Sequence, residues 1–273
     1  MRREMGNIRP DGSESGNGSV AEAAFDATSL LAERPFGLDA SAKTNLLVDG
    51  LNRLNRHHYR HCSPYRQMLD FLGYPIRQEV GLSELPPIPV RMFKEFELRS
   101  CRQEDVVKTL TSSGTSGQQV SRIFLDRHHA GLQTRVLARI MGDITGCSRM
   151  PMLIIDSPSV VRDRQLFSAR GAGILGFGML GTDVTYALDA HMQLDDAAVQ
   201  AFCERHQGRS VLLLGFTSIV WQHWYLPLRE RSAPFPLENA VLVHGGGWKK
   251  LADQAVSPAT FNASLKSVCG VGR

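Results

Sequence analysis

Three short, almost wholly apolar runs, at 152–155, Val211–Phe216 and 240–243, constrain the fold of this chain more than any other feature. Aliphatic residues in unbroken succession leave no polar face for water. Each run must therefore be covered on both sides, as strands of a parallel sheet between helix layers are. The stretches between the later runs read as helices, one over 195–206 with Asp195 as its cap and Gly208 as its stop, the other over 217–231. Strand, helix, strand, helix, strand implies an α/β core with a largely parallel sheet flanked by helices. At about 150 residues per domain, the 273 residues allow one large domain or one domain with an appendage. No internal repeat is found.

The N-terminal part has a different texture. Residues 5–19 hold four glycines among Ser, Asn, Asp and Glu, with Ile8 as their one large aliphatic, so little offsets the entropy of ordering them. The expected division is a mostly disordered tail at 1–34, a helical region at 35–104 and the α/β domain at 105–273. In the helical region, Leu47, Leu51, Leu54 and His58 recur at helical spacing. A second helix has Ser63 as expected cap, Pro64 in its first turn, a stripe of Tyr65, Met68, Leu69 and Leu72, and Gly73 at its end. Pro86, Pro87 and Pro89 then predict an extended connector. From Asp105 onward, strands are expected at Val106–Thr111 and 123–125, followed by a helix over 127–141.

Charge and cysteine usage narrow the function classes. Lys and Arg exceed Asp and Glu by 31 to 27, a net +4 spread along the chain, so no nucleic-acid footprint is expected. The five cysteines, Cys62, Cys101, Cys147, Cys203 and Cys269, are widely spaced with no C-x-x-C. That pattern fits neither a disulfide framework nor a zinc ribbon and predicts a reducing, cytoplasmic setting. Arg2 and Arg3 are not followed by the apolar region of a signal peptide, and no run approaches the ~18 residues of a membrane-spanning helix.

Two segments could carry chemistry. Thr111, Ser112, Ser113, Gly114, Thr115, Ser116 and Gly117 place five hydroxyls and two glycines between two strand-like runs. A polyphosphate takes many short donors, and glycine lets backbone N–H groups approach it, but from composition alone a polar hairpin is the better reading. The loop is not a Walker A sequence, because no lysine closes it and a strand follows. The second segment, His244 to Lys250, reads HGGGWKK and follows a buried run. Its glycines thus stand at the C-terminal end of a strand, where open α/β sheets bind ligands. HGGG also occurs in oxyanion holes of lipases and esterases, but no G-x-S-x-G elbow exists anywhere in the chain. A serine hydrolase is therefore the weaker alternative. Gly171, Gly173 and Gly176 match G-x-G-x-x-G formally without a clear preceding strand, and are taken as a chance match. His57 and His61 stand four apart on the first helix without a third ligand, so no metal is expected there.

Taken together, TSSGTSGQQVSRIFLD, Phe93-Lys94 in PVRMFKEF, Arg170-Gly171 in SARGAG, Gly215-Phe216 in LLLGFTS and HGGGWKK resemble, in order, the acyl-protein synthetase (LuxE-type) family of the acyl-adenylate-forming superfamily. The resemblance covers roughly residue 64 to the C-terminus. It implies the large α/β domain of an adenylate-forming enzyme, acting as a long-chain-fatty-acid–protein ligase. ATP and a fatty acid would give acyl-AMP and pyrophosphate, with Mg2+ as cofactor. The acyl group would then pass to a protein thiol, on an acyl-accepting protein or a reductase. By the same resemblance, Thr111 to Gly117 hold the ATP phosphates, and Gly245, Gly246, Gly247, Trp248 and Lys249 line the nucleotide site. The superfamily's lysine after the loop is replaced by Gln118, Gln119 and Val120, which leaves Arg122 as the nearest cation.

Relatives continue into an aromatic-Gly-x-x-Glu motif, whose glutamate helps place magnesium, and into a small C-terminal lid domain. Neither occurs before Arg273. The expectation is an incomplete ligase with weak turnover on its own, the alternative a catalytically inactive nucleotide- or protein-binding remnant of the same fold.

Overall fold

The computed structural model describes residues 27–111, 119–162, 169–231 and 234–271. The expected tail at 5–19 lies outside the described residues. Ala27–Ala32 forms a 3-10 segment, and Arg34 Nε lies 3.1 Å from the carboxylate of Asp143.

Helix α1 (Ala40–His61) starts where the Asp39 side chain accepts from the Ala42 amide. Its apolar stripe is only half-buried, and the deepest contact is polar. Asn52, 2% exposed, donates to the carbonyls of Val48 and Val80 and accepts from the Val80 amide. Both donor hydrogens and one acceptor site are thereby directed to backbone, which ties the connector around Val80 to α1. In α2 (Ser63–Phe71) the cap is Cys62, not Ser63: Cys62 has the extended backbone of a cap, and Ser63 is already helical. Gly73 follows the end of the helix at φ 63°, as its sequence position predicts. A single turn, α3 (Met92–Glu95), follows the prolines.

Strands β1 (Val106–Thr111) and β2 (Arg122–Asp126) pair antiparallel in a sheet of their own, with Thr111 opposite Arg122. Asp126 caps α4 (Arg127–Thr145), which runs four residues beyond the expected end and stops at Gly146, φ 72°.

The second sheet is the core. Four parallel strands stand in the order β4 (Gly181–Tyr186), β3 (Met150–Ile155), β5 (Val211–Phe216), β6 (Ala240–Gly245). Alternate side chains feed opposite layers. Leu153, Ile155, Val211 and Leu213 pack with Phe202, Trp221, Trp224 and Phe261. Met152, Ile154, Leu212 and Leu214 pack with Met141 and Ile174. The turn α5 (Ser159–Arg162) and α6 (Ala169–Gly178) connect β3 to β4, whereas α7 (Asp196–Arg205) leads from β4 past β3 to β5. Because the β3-to-β4 and β4-to-β5 crossovers run in opposite directions across the sheet, α6 and α7 cover opposite faces; the connections that leave β3 and β5 diverge toward opposite edges, so the ends of these two strands bound a topological switch point.

After β5 the helix is broken into α8 (Thr217–Ile219), a π-helical turn (Val220–Tyr225) and α9 (Leu226–Arg229). The wider turn sets Trp221 and Trp224 into the core. Helix α10 (Pro258–Cys269) begins at Ser257, whose hydroxyl accepts from the Thr260 amide, and ends at Gly270, φ 73°. The Gly171, Gly173 and Gly176 match lies within α6. Among the described residues no helix is long and apolar enough to cross a membrane.

Candidate functional site

Strand ends position the candidate site. Of the loop from Thr111 to Gly117, Thr111 closes β1; Ser112, Ser113, Gly114, Thr115, Ser116 and Gly117 lie outside the described residues. Directly across the hairpin, the exposed Arg122 holds its guanidinium 6.0 Å from the centroid of the Phe124 ring. The paired ends of β1 and β2 thus flank this segment, and a second guanidinium, that of Arg99, lies 6.0 Å from the same Phe124 ring.

The glycine segment stands where the sequence places it, at the C-terminal end of β6. Gly246 and Gly247 have φ of 82° and 63°, a left-handed conformation that residues with a β-carbon rarely adopt. Their bare α-carbons serve different ends. A β-carbon at Gly246 would stand 2.7 Å from the Phe216 ring, whereas one at Gly245 or Gly247 would meet nothing within 4 Å. Gly246 is therefore accounted for by packing as well as by backbone, and Gly245 and Gly247 open onto free space. Trp248 directs its indole edge-on against Trp221 and Phe261, at 5.4 and 6.0 Å between centroids. Lys249 opens the 3-10 turn Lys249–Gln254, and its side chain lies outside the described residues.

Between β5 and β6 the turn is fastened by Thr217. Its hydroxyl oxygen is 3.1 Å from both His244 Nδ1 and the Gly245 carbonyl oxygen. One hydroxyl proton satisfies both contacts if Thr217 donates to the carbonyl and accepts from His244 Nδ1–H. Burial holds the His244 pKa below its ordinary value, which favours this neutral imidazole. The hydroxyl closest to the HGGG histidine is thus engaged with backbone, unlike that of a hydrolase nucleophile.

At the switch point proper, β3 delivers Asp156 and Ser157, both fully buried. Asp156 Oδ1 accepts from the Ser157 amide at 2.7 Å, and Oδ2 lies 3.1 Å from Arg170 Nε. Burial raises the Asp156 pKa against the opposing pull of the Ser157 amide, Arg170 and His223. His223 in turn donates from Nδ1 to the carbonyl of Met192, a residue with φ 62°. Of this group, Arg170 was noted in the sequence only as part of SARGAG, without a site role, and Asp156 and His223 were not singled out. The signal was present in Asp-Ser directly after a fully apolar run, the position from which an α/β strand presents its end to a ligand.

Over residues 18–273 the sequence matches the family model described as acyl-protein synthetase, LuxE. The chain belongs to the LuxE acyl-protein synthetase family. It is also similar to a long-chain-fatty-acid–luciferin-component ligase of Photorhabdus luminescens, at 30% identity over 63 residues. That stretch covers 23% of this chain and 53% of the relative, about half its length. The LuxE assignment is consistent with a mixed α/β fold whose parallel sheet is flanked by helices.

Proposed function

We propose that this LuxE-family chain activates a long-chain fatty acid with ATP and delivers the acyl group to a protein thiol. In the first step a carboxylate oxygen attacks the α-phosphorus of ATP. The bond from that phosphorus to the β-phosphate bridging oxygen breaks, and pyrophosphate leaves as acyl-AMP forms. In the second step a thiolate on an acceptor protein or reductase attacks the acyl carbon. AMP departs, and the proton lost by the thiol passes to solvent or a base. The observation that carries this reading is the family match together with a left-handed glycine turn at the end of β6. Gly245 and Gly247 leave backbone uncovered there, beside the switch point where α/β sheets take ligands.

In this reading Thr111 to Gly117 cradle the phosphates, with Arg122 at the neck of the loop offering compensating charge. Magnesium enters with the nucleotide. Among the described residues no group of three or more His, Cys, Asp or Glu side chains could hold a metal ion, so no step is assigned to a protein-held metal. Preorganised donors aimed at the phosphoryl oxygens are what such a site contributes to the barrier.

The test is isotope exchange of pyrophosphate into ATP, supplied with magnesium and saturated fatty acids of graded length. Exchange that depends on the acid, and is greater for long chains than for acetate, supports the proposal. Nucleotide binding without acid-dependent exchange contradicts it and favours the inactive remnant.

A further inference from the structure

Asp156 is the buried charge that packing explains least. A carboxylate taken wholly out of water costs several kcal/mol unless its lone pairs are well matched, and neutral replacements of such pairs are often no less stable. Here one oxygen is matched by the Ser157 amide. The other is not: Oδ2 is within ion-pair distance of Arg170 Nε, yet off the line of a hydrogen bond and, among the described residues, without a hydrogen-bond partner. The attraction is therefore one of charge, and the Arg170 side chain is still 34% exposed.

The surroundings fix where that guanidinium can go. Arg170 is the second residue of α6, and one turn on, Gly173 lets α6 close onto Phe216 at the end of β5; a β-carbon there would lie 3.2 Å from the ring. The same ring abuts Gly246. One aromatic thus registers α6, β5 and the glycine turn against each other, and Arg170 enters this arrangement beside the end of β3. A guanidinium is a rigid planar fork, so turning Nε toward Asp156 directs the opposite edge of the fork away from it.

We propose that Arg170 is the oxyanion-binding side chain of the switch-point crevice, and that Asp156 is its positioning residue. The outward edge of Arg170 takes two oxygens of a carboxylate or a phosphoryl group, and Asp156 holds the fork in that orientation. The inference rests on the acyl-adenylation reading for the identity of the ligand, which is either the acid's carboxylate or the phosphates of ATP. It accounts for a carboxylate whose burial contributes little to stability.

The experiment compares the full chain with Arg170→Ala, Arg170→Lys, Asp156→Asn and the Asp156→Asn/Arg170→Ala double variant. Thermal midpoints are measured first, then binding of ATP, pyrophosphate and decanoate by titration, and KM and kcat in pyrophosphate exchange. Arg170→Ala leaves the Asp156 charge buried without its partner and should lower the thermal midpoint, whereas the double variant, which removes that charge too, should regain most of it; in both, loss of a charge-assisted contact predicts that one of these ligands binds about tenfold or more weakly at a temperature where the variant is folded. Arg170→Lys should recover part of the loss, because charge without the fork is a partial substitute, and ethylguanidinium in the buffer should partly rescue Arg170→Ala. Asp156→Asn should raise KM more than it lowers kcat, and the double variant should be no worse than Arg170→Ala alone. A defect confined to decanoate identifies the carboxylate as the anion; one in ATP and pyrophosphate identifies the phosphates. A folded Arg170→Ala that binds all three within twofold of wild type overturns the assignment, and independent, multiplying effects overturn the positioning role. Wild-type protein that binds ATP without exchange would fail the adenylation reading alone, since the titrations still judge Arg170. Wild-type protein that binds none of the three fails both.

Discussion

The ring of Phe216 lies against the bare α-carbon of Gly246, so close that a β-carbon there would stand 2.7 Å from it. Two constraints meet at this residue, because Gly246 also has φ of 82°. Gly246→Ala is expected to destabilise the protein by roughly 2–4 kcal/mol, the sum of a left-handed penalty and local overpacking. Urea denaturation measures it. Adding Phe216→Leu should recover the overpacking share and leave the backbone share in place.

Gly245 separates fold from function. It lacks a positive φ, and a side chain there would enter open space. Gly245→Ala should therefore change stability by no more than about 0.5 kcal/mol, as surface substitutions do. If a nucleotide lies against this backbone, the same methyl should weaken ATP binding severalfold. A titration that finds wild-type affinity in Gly245→Ala would place the nucleotide elsewhere.

A pH-dependent weakness resides in the N-terminal region. His58, held 2.7 Å from the Ser100 hydroxyl, has its pKa pushed down to about 4 by burial first and by His57, His129 and His61 after it. Between the ordinary value of 6.5 and about 4, the unfolded chain carries a proton that the folded chain lacks. Acidification through that window therefore favours unfolding, and stability is regained as pH rises. The loss is on the order of 1–2 kcal/mol after allowance for partial solvent exposure. Denaturation at pH 7.5 and 5.0 checks it, and His58→Gln should flatten the difference. An equal loss in the variant would assign the effect to other groups.

Much of the α/β core was legible because burial on both sides demands unbroken apolar runs: β3, β5 and β6 stand within two residues of their expected positions. Helix α7 was legible for a different reason, since the Asp195 side chain does accept from the Ala198 amide as a cap should. Strand β4 was missed. Its sequence Gly-Thr-Asp-Val-Thr-Tyr lies at an edge, with Thr182 and Val184 exposed, and has no apolar run to announce it. The π turn was equally invisible, because Trp221 and Trp224 fit an ordinary helical stripe and the extra residue per turn changes only where the stripe points. At the site, sequence located the glycine turn but could not apportion its glycines, since an absent side chain makes room for a ligand and for Phe216 alike. Asp156 and Arg170 lie 14 positions apart, joined across a connection whose return path periodicity does not reveal.

Whether the segment 111–117 holds the phosphates of ATP is decided by calorimetric titration of ATP with magnesium into wild-type protein and Gly114→Val. A branched side chain at Gly114 blocks close backbone approach to a phosphate. Phosphate binding by this segment predicts saturable binding of one ATP per wild-type chain, and affinity at least about tenfold weaker in a variant with unchanged circular dichroism and thermal midpoint. Equal affinity in the folded variant, or no ATP binding by wild-type protein, would contradict it.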